Sequence, residues 1–194
     1  MISDSPIPGA PISGSVNYGL ADLAAVLLQT VVDRGDRTDE GHLIEAVAPA
    51  WDAILEILRR DPEQMFAIPP RTWEEIIAGT YERSGFDRVT LTPRSRDAGR
   101  DVIAEKTGWG AVRFVDQVKA YKPGHLVTAE EVRALDFVLL SDQGATKGIV
   151  TTTSGFAPLI SEDPLIRPYL PTRIELVDGQ QLIQRLKALP RRWQ

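Results

Sequence analysis

The chain has no cysteine, and only two of its 194 residues, His42 and His125, are histidine. Disulfides and thiolate metal sites are excluded, and a structural zinc site lacks the Cys and His donors it needs. No segment approaches the ~20 apolar residues of a membrane-crossing helix, so no membrane partner is expected. Residues 1–15 are rich in Pro, Gly and Ser and lack a basic start and an apolar run. They are expected to form a disordered leader, not a signal peptide. A reducing, cytoplasmic location fits the missing thiols. The remaining composition, 43% apolar and 25% charged, is that of a chain able to build a core.

Positive charge is scarce overall, with a net charge of −5, but it is unevenly placed. Residues 1–66 hold eleven acids against four bases, a balance of −7, and residues 67–194 hold sixteen acids against eighteen bases, a balance of +2. Arg83, Arg88, Arg94, Arg96, Arg100, Arg113, Lys119 and Lys122 fall within forty positions. This distribution permits a nucleic-acid-binding face, although a solvated mixed-charge surface accounts for it equally well.

Hydrophobic spacing predicts a helix over 16–32, broken by the 33–39 stretch with Gly35. A second helix is predicted over 40–60, with Leu43, Val47, Trp51, Ile54 and Leu58 on one face and Pro49 either kinking it or dividing it in two. Pro69 and Pro70 suggest a linker, after which Thr72 reads as the N-cap of a helix reaching Gly85. Period-two alternation then predicts strands over 86–92, 101–105 and 111–121. A helix capped by Thr128 follows, with Glu130 and Glu131 in its first turn. The β-branched run 148–153, the segment 173–177 and a helix ending near Leu189 complete the order α-β-β-β-α-β-β-α after residue 71. That order implies a mixed central sheet flanked by helices, an α/β fold. Trp51 and Trp73 are expected in the core, and Trp109, in a Gly-Trp-Gly turn, at the surface.

One polar constellation interrupts the apolar pattern. Gln117 and Lys119 alternate on one face of an otherwise apolar strand that includes Val115 and Val118. If Asp101 lies across the hairpin on that face, a carboxylate, an amide oxygen and an ammonium converge. The first two are hard ligands suited to Mg2+ or Mn2+, and the Val118 carbonyl can add another oxygen. Lys119 can position or deprotonate a water, or stabilise phosphate charge. Such a set can hydrolyse a phosphodiester. A D…QxK spacing also arises by chance on exposed strands. Against chance stand the apolar setting and Gly99, which allows close backbone approach before Asp101.

Five ordered stretches carry a family resemblance: 73–86 (WEEIIAGTYERSGF), 91–101 (LTPRSRDAGRD), 115–121 (VDQVKAY), 147–156 (KGIVTTTSGF) and 174–182 (IELVDGQQL). Together they resemble the Mrr-type restriction endonuclease catalytic domain of the PD-(D/E)xK nucleases, over about residues 72–187. The resemblance implies a restriction-endonuclease-like fold and metal-dependent cleavage of DNA, double-stranded in the expected case, in restriction or defence against foreign DNA. It makes Asp101 the principal metal carboxylate, puts Gln117 where most relatives have Glu, and makes Lys119 the catalytic lysine. Glu74 matches a helical glutamate that can face the site, although a helix-dipole role explains it nearly as well. Asp97 matches the first loop aspartate, as a second ligand or a turn residue. Ala120 departs from the pattern, which usually has a base there.

Arg96, Asp97, Arg100, Lys122, Thr153 and Ser154 are candidate DNA contacts. The chain is expected to divide into the leader (1–15), a helical N-terminal region (16–66) and a nuclease domain (67–194). The N-terminal region is expected to pack on the core or form a dimer surface. A double-strand cut needs two sites, so a homodimer or higher oligomer is expected, with specificity low or supplied by a partner protein. The alternatives are a DNA-repair or junction-resolving nuclease with the same site, and a non-catalytic DNA-binding or scaffold module on the same fold.

Overall fold

Segments rich in Val, Ile and Thr must pair to satisfy their backbone groups. In the computed structural model, which describes residues 20–93, 99–108, 110–142 and 144–189, they form one sheet. Its strands lie side by side in chain order: β1 (Val32–Arg37), β2 (His42–Val47), β3 (Arg88–Leu91), β4 (Val102–Lys106), β5 (Val112–Lys119), β6 (Lys147–Thr152) and β7 (Ile174–Val177). Neighbours from β1 to β5 are antiparallel, and β5, β6 and β7 are parallel. The change of direction at β5 requires a crossover, and helix α4 (Ala129–Ser141) supplies it. The other helices are α1 (Leu20–Val26), α2 (Pro49–Arg60), α3 (Pro70–Arg83) and α5 (Gly179–Ala188). None of the described helices is long and apolar enough to cross a membrane.

From residue 86 onward the elements match the sequence pattern. Helices α4 and α5 start at capping boxes, Thr128 with Glu131 for α4 and Asp178 with Gln181 for α5. The N-terminal third differs. The 16–32 helix stops at Val26, and Val32 already belongs to β1. The 40–60 helix is two elements: residues 42–47 form β2, and Pro49 is the first residue of α2. Proline lacks the N–H that a helix start leaves unpaired, so it begins this helix instead of kinking it. The same rule moves the start of α3 from Thr72 to Pro70, with Pro69 as N-cap. The proposed linker is thus a helix start preceded by a 3-10 turn over Pro62–Ala67. The expected helical N-terminal region is therefore mixed, with a β-hairpin that extends the sheet through β2–β3 pairing. Gly41 permits this join, because a Cβ there would sit 2.3 Å from the Leu91 carbonyl oxygen.

One sheet face is covered by α2, α3 and α5, with Trp51, Ile54, Trp73, Ile76, Val102, Ala104 and Leu182 in its core. The other is covered by α4, with Val115, Val132, Leu135, Val150 and Ile174. Both tryptophans are buried, as expected, and their indole N–H groups reach carbonyls: Trp51 donates to Ile76 at 3.0 Å and Trp73 to Met65 at 3.1 Å. On the α4 face, Arg113 of β5 donates to Glu105 at 2.9 Å, to Asp142 at 3.0 Å and to Glu40. This cluster ties the β1–β2 turn to the end of α4.

The α2–α3 contact sets a test. A Cβ on Gly79 of α3 would lie 2.6 Å from Trp51 Nε1, inside a fully packed core. Replacing a helical Gly by Ala adds about 1 kcal/mol through propensity, whereas overpacking costs roughly 1–3 kcal/mol and threatens the Trp51 hydrogen bond. Gly79→Ala is expected to be net destabilising in urea unfolding. A variant more stable than wild type would show that α2 and α3 do not pack this way.

Candidate active site

Strand parity builds the site. β4 and β5 pair with Val102 opposite Asp116 and Ile103 opposite Val115. Val102 faces the α3 side and Val115 the α4 side. Gln117 and Lys119 follow Val115 in alternation, so they take the α4 side. Asp101 precedes β4 by one residue and is held through its backbone and one carboxylate oxygen. Its N–H donates to the Asp116 carbonyl at 3.0 Å, and its own carbonyl accepts from Thr92 N–H at 3.1 Å. Its carboxylate Oδ2 accepts from the Val118 N–H at 2.7 Å.

The turn before Asp101 presses on Gln117. Gly99 has φ +79°, and a Cβ there would approach Gln117 Nε2 to 3.2 Å. Gln117 Oε1 is shielded from solvent and has no hydrogen-bond partner among the described residues. A buried, unpartnered amide oxygen on the same face as a fixed carboxylate offers two of the hard oxygen donors that a divalent cation takes. The described residues contain no cluster of three His, Cys, Asp or Glu, so the protein would contribute one carboxylate and neutral oxygens.

Lys119 stands one step further along the same face. Its Nζ lies 3.6 Å from Glu131, and its carbonyl accepts from Thr152 Oγ1 at 2.8 Å. Burial works against ionising Glu131, but hydrogen bonds from Tyr121 and Thr128 outweigh it and hold the carboxyl below the ordinary range. Glu74 lies on α3, buried and paired with Arg71. Arg71 also donates to the Thr92 carbonyl at 3.0 Å, next to the Thr92–Asp101 bond. Glu74 therefore connects to Asp101 through Arg71 and Thr92.

The expected DNA contacts divide. Arg96 and Asp97, like Trp109, lie outside the described residues. Arg100 is engaged by Asp142 at 3.4 Å and Glu40 at 3.9 Å. Thr153 is buried, and its hydroxyl donates to the Tyr121 carbonyl at 2.7 Å, which commits its proton. Ser154 is half-buried with its N–H on Thr152 Oγ1 at 3.1 Å. Lys122 is exposed.

Sequence reasoning missed the acid on the opposite face. Asp116 is fully enclosed and accepts two bonds on Oδ2, from the Tyr81 hydroxyl at 2.8 Å and Thr151 Oγ1 at 3.1 Å. Oδ1 has no partner among the described residues. Burial pushes its carboxyl up to about 7; the two donors pull it down, and Asp101 adds to the rise. The alternation that puts Gln117 toward α4 also puts Asp116 toward α3, so the signal was present.

A helix, an antiparallel meander and a parallel crossover, with an acid heading one strand and Q-x-K on the next, define a restriction-endonuclease-like α/β domain. The sequence model of the Mrr catalytic family, described as restriction endonuclease, matches residues 66–186. That is more than half of the chain, and the chain belongs to this family. The uncharacterized protein y4cE of Sinorhizobium fredii (strain NBRC 101917 / NGR234) is 27% identical over 104 residues, which cover 53% of this chain and 26% of y4cE. The MspJI restriction endonuclease, solved in complex with a 27-mer oligonucleotide, gives a TM-score of 0.48 at 18% identity, covering 74% of this chain and 33% of that one. AspBHI, a DNA modification-dependent restriction endonuclease, gives 0.47 at 21% identity, covering 74% and 36%. The chain thus spans about a quarter of the curated relative and about a third of each solved chain.

Asp116 yields a prediction with a defined sign. Its carboxyl sits at about 7 when folded against an ordinary 3.8, so the folded state favours the protonated form. The stability this adds is complete below about pH 4 and is lost as pH rises through about 7, a few kcal/mol in all. Asp116→Asn fixes the neutral form and still accepts from Tyr81 and Thr151. In urea unfolding with chelator present, the variant is expected to gain on wild type between about pH 4 and 7 and then level off. A constant difference across that range would show that Asp116 does not titrate there.

Proposed function

We propose that the chain hydrolyses phosphodiester bonds of DNA with Mg2+ or Mn2+, in restriction or another defence against foreign DNA. The observation that carries this reading is the Asp101 carboxylate, fixed by the Val118 N–H on the strand face that also holds the buried, unpartnered oxygen of Gln117. Asp101, Gln117 and the Val118 carbonyl would hold the ion. A divalent ion in this setting lowers the pKa of a bound water and neutralises phosphate charge.

The chain's own groups supply the rest. Val118 N–H keeps Asp101 from turning away. Lys119 extends its ammonium along the same face as Gln117 and can bond a phosphate oxygen or orient the attacking water, contributions typically worth 10²–10⁴-fold. Glu131, at 3.6 Å, positions that ammonium without burying it. Glu74 and Arg71 brace Thr92, and through it the backbone of Asp101. With an amide where a second carboxylate would stand, ion affinity leans on the substrate phosphate. A cut through both strands needs two such sites, which two copies of this chain can provide.

The test is cleavage of plasmid DNA, modified and unmodified, with Mg2+ or Mn2+. Wild type is expected to nick or linearise it, and chelator to stop the reaction. Asp101→Ala and Lys119→Ala are each expected to slow it by about a hundredfold or more while keeping the wild-type circular dichroism spectrum. Equal rates in wild type and Asp101→Ala would sink the assignment, as would a wild-type protein inert with either ion.

A further inference from the structure

A cavity of about 280 Å³ lies between α3 and α5, on the sheet face turned away from Gln117 and Lys119. Its floor is the sheet, with Asp116 of β5 beside Thr151 of β6. Leu182 and Leu186 of α5 give it an apolar wall. Tyr81 and Phe86 also line it, and their rings meet edge to face with centroids 5.1 Å apart. The guanidinium of Arg185, which lines it too, is ion-paired with Glu175. Asp116 is 2% exposed. Its Oδ2 takes the Tyr81 and Thr151 hydroxyls, but Oδ1 is shielded from solvent and has no hydrogen-bond partner among the described residues.

An unpaired buried oxygen at the floor of an apolar cavity selects an occupant that brings the missing bond. One water occupies roughly 30 Å³ and would leave most of the apolar space unfilled. Small-molecule sites combine mostly apolar walls with a few placed polar groups, and this volume lies just below their roughly 300–1,000 Å³, a size for one ring. A hydroxyl can donate to a carboxylate oxygen or accept from a carboxylic acid, so it satisfies Oδ1 in either charge state of Asp116. The Tyr81–Phe86 pair favours an aromatic body, which extends the edge-to-face packing. With Arg185 neutralised by Glu175, the cavity does not call for an anion. We propose that this cavity is a binding site for a small monohydroxy aromatic molecule, of the phenol class, with its ring against Tyr81 and Phe86 and its hydroxyl on Asp116 Oδ1. The site does not depend on the nuclease reading. It touches the candidate active site through one backbone bond, the Asp101 N–H on the Asp116 carbonyl at 3.0 Å.

The test is an NMR titration of the isotope-labelled full chain with phenol and with fluorobenzene, a ring of nearly the same shape that lacks the hydroxyl. Phenol is expected to shift the amide signals of Tyr81, Thr151 and Leu182 saturably. Fluorobenzene is expected to bind about tenfold more weakly, for want of one hydrogen bond to a buried group. Asp116→Asn keeps a polar atom at the Oδ1 position and is expected to keep the preference for phenol. Asp116→Val removes both oxygens and is expected to bind the two rings alike. Should Asp116→Val fail to fold, the comparison of the two rings on wild type decides alone. Equal affinity of wild type for both rings would overturn the assignment. So would the absence of a saturable phenol shift, or shifts confined to residues outside the cavity.

Discussion

The hydrogen bond from the Val118 N–H to Asp101 Oδ2, 2.7 Å long, joins two strands at the one point where the site needs them joined. It depends on the β4–β5 register, which sets Val102 against Asp116. A slip of one residue would turn Gln117 and Lys119 toward α3 and bring Asp116 toward α4. Several contacts oppose that slip. Gly99 lets the preceding turn run close to Gln117, where a Cβ would come within 3.2 Å of Nε2. Thr92 closes on Asp101 from β3 through its N–H and, at 3.2 Å, its hydroxyl. On the far face, Asp116 is held by one donor from α3 and another from β6.

β5 thus serves two environments at once. Toward α3 it offers an enclosed acid, whose ionised form is disfavoured by burial and relieved only by Tyr81 and Thr151. Toward α4 it offers Arg113, Val115, Gln117 and Lys119 in succession. Arg113 is surrounded by Glu40, Glu105 and Asp142, and removal of such a cation would leave three carboxylates facing one another. Val115 is core. The polar chemistry proposed for Gln117 and Lys119 starts where the packed part of the strand ends.

How much of this the sequence disclosed follows from the range of the interactions. Strands β3 to β7 announce themselves through β-branched residues and turn glycines, and α4 and α5 through caps that act within three residues of themselves. Parity alone put Gln117 and Lys119 on one face. Residues 42–47 were misread because Leu43 and Val47 fit a helical spacing, while the partner that makes them a strand, β3, lies far along the chain. Asp116 escaped notice for the same reason: Tyr81 and Thr151 are each 35 residues away. Arg100 looked like a DNA contact until Glu40 and Asp142 were brought beside it by the fold.

The same distances decide where an anionic strand can settle. Arg100 and Arg113 are compensated by carboxylates at or below 3.9 Å, so a phosphate approaching them meets repulsion from Glu40 and Asp142 as well as attraction. Among the described residues Lys119 is ion-paired with Glu131, at 3.6 Å on a partly exposed side chain, a pair weak enough for a phosphate to replace. Further along the chain, Lys122 is exposed. The β1–β2 hairpin, with five acids against two bases over residues 32–47, disfavours the strand at that end of the sheet. In the proposed reading the substrate therefore enters from the Lys122 side. On that reading its phosphate would supply the negative charge that the neutral amide of Gln117 does not, so that a divalent ion held by Asp101 and Gln117 would bind more tightly with substrate than without.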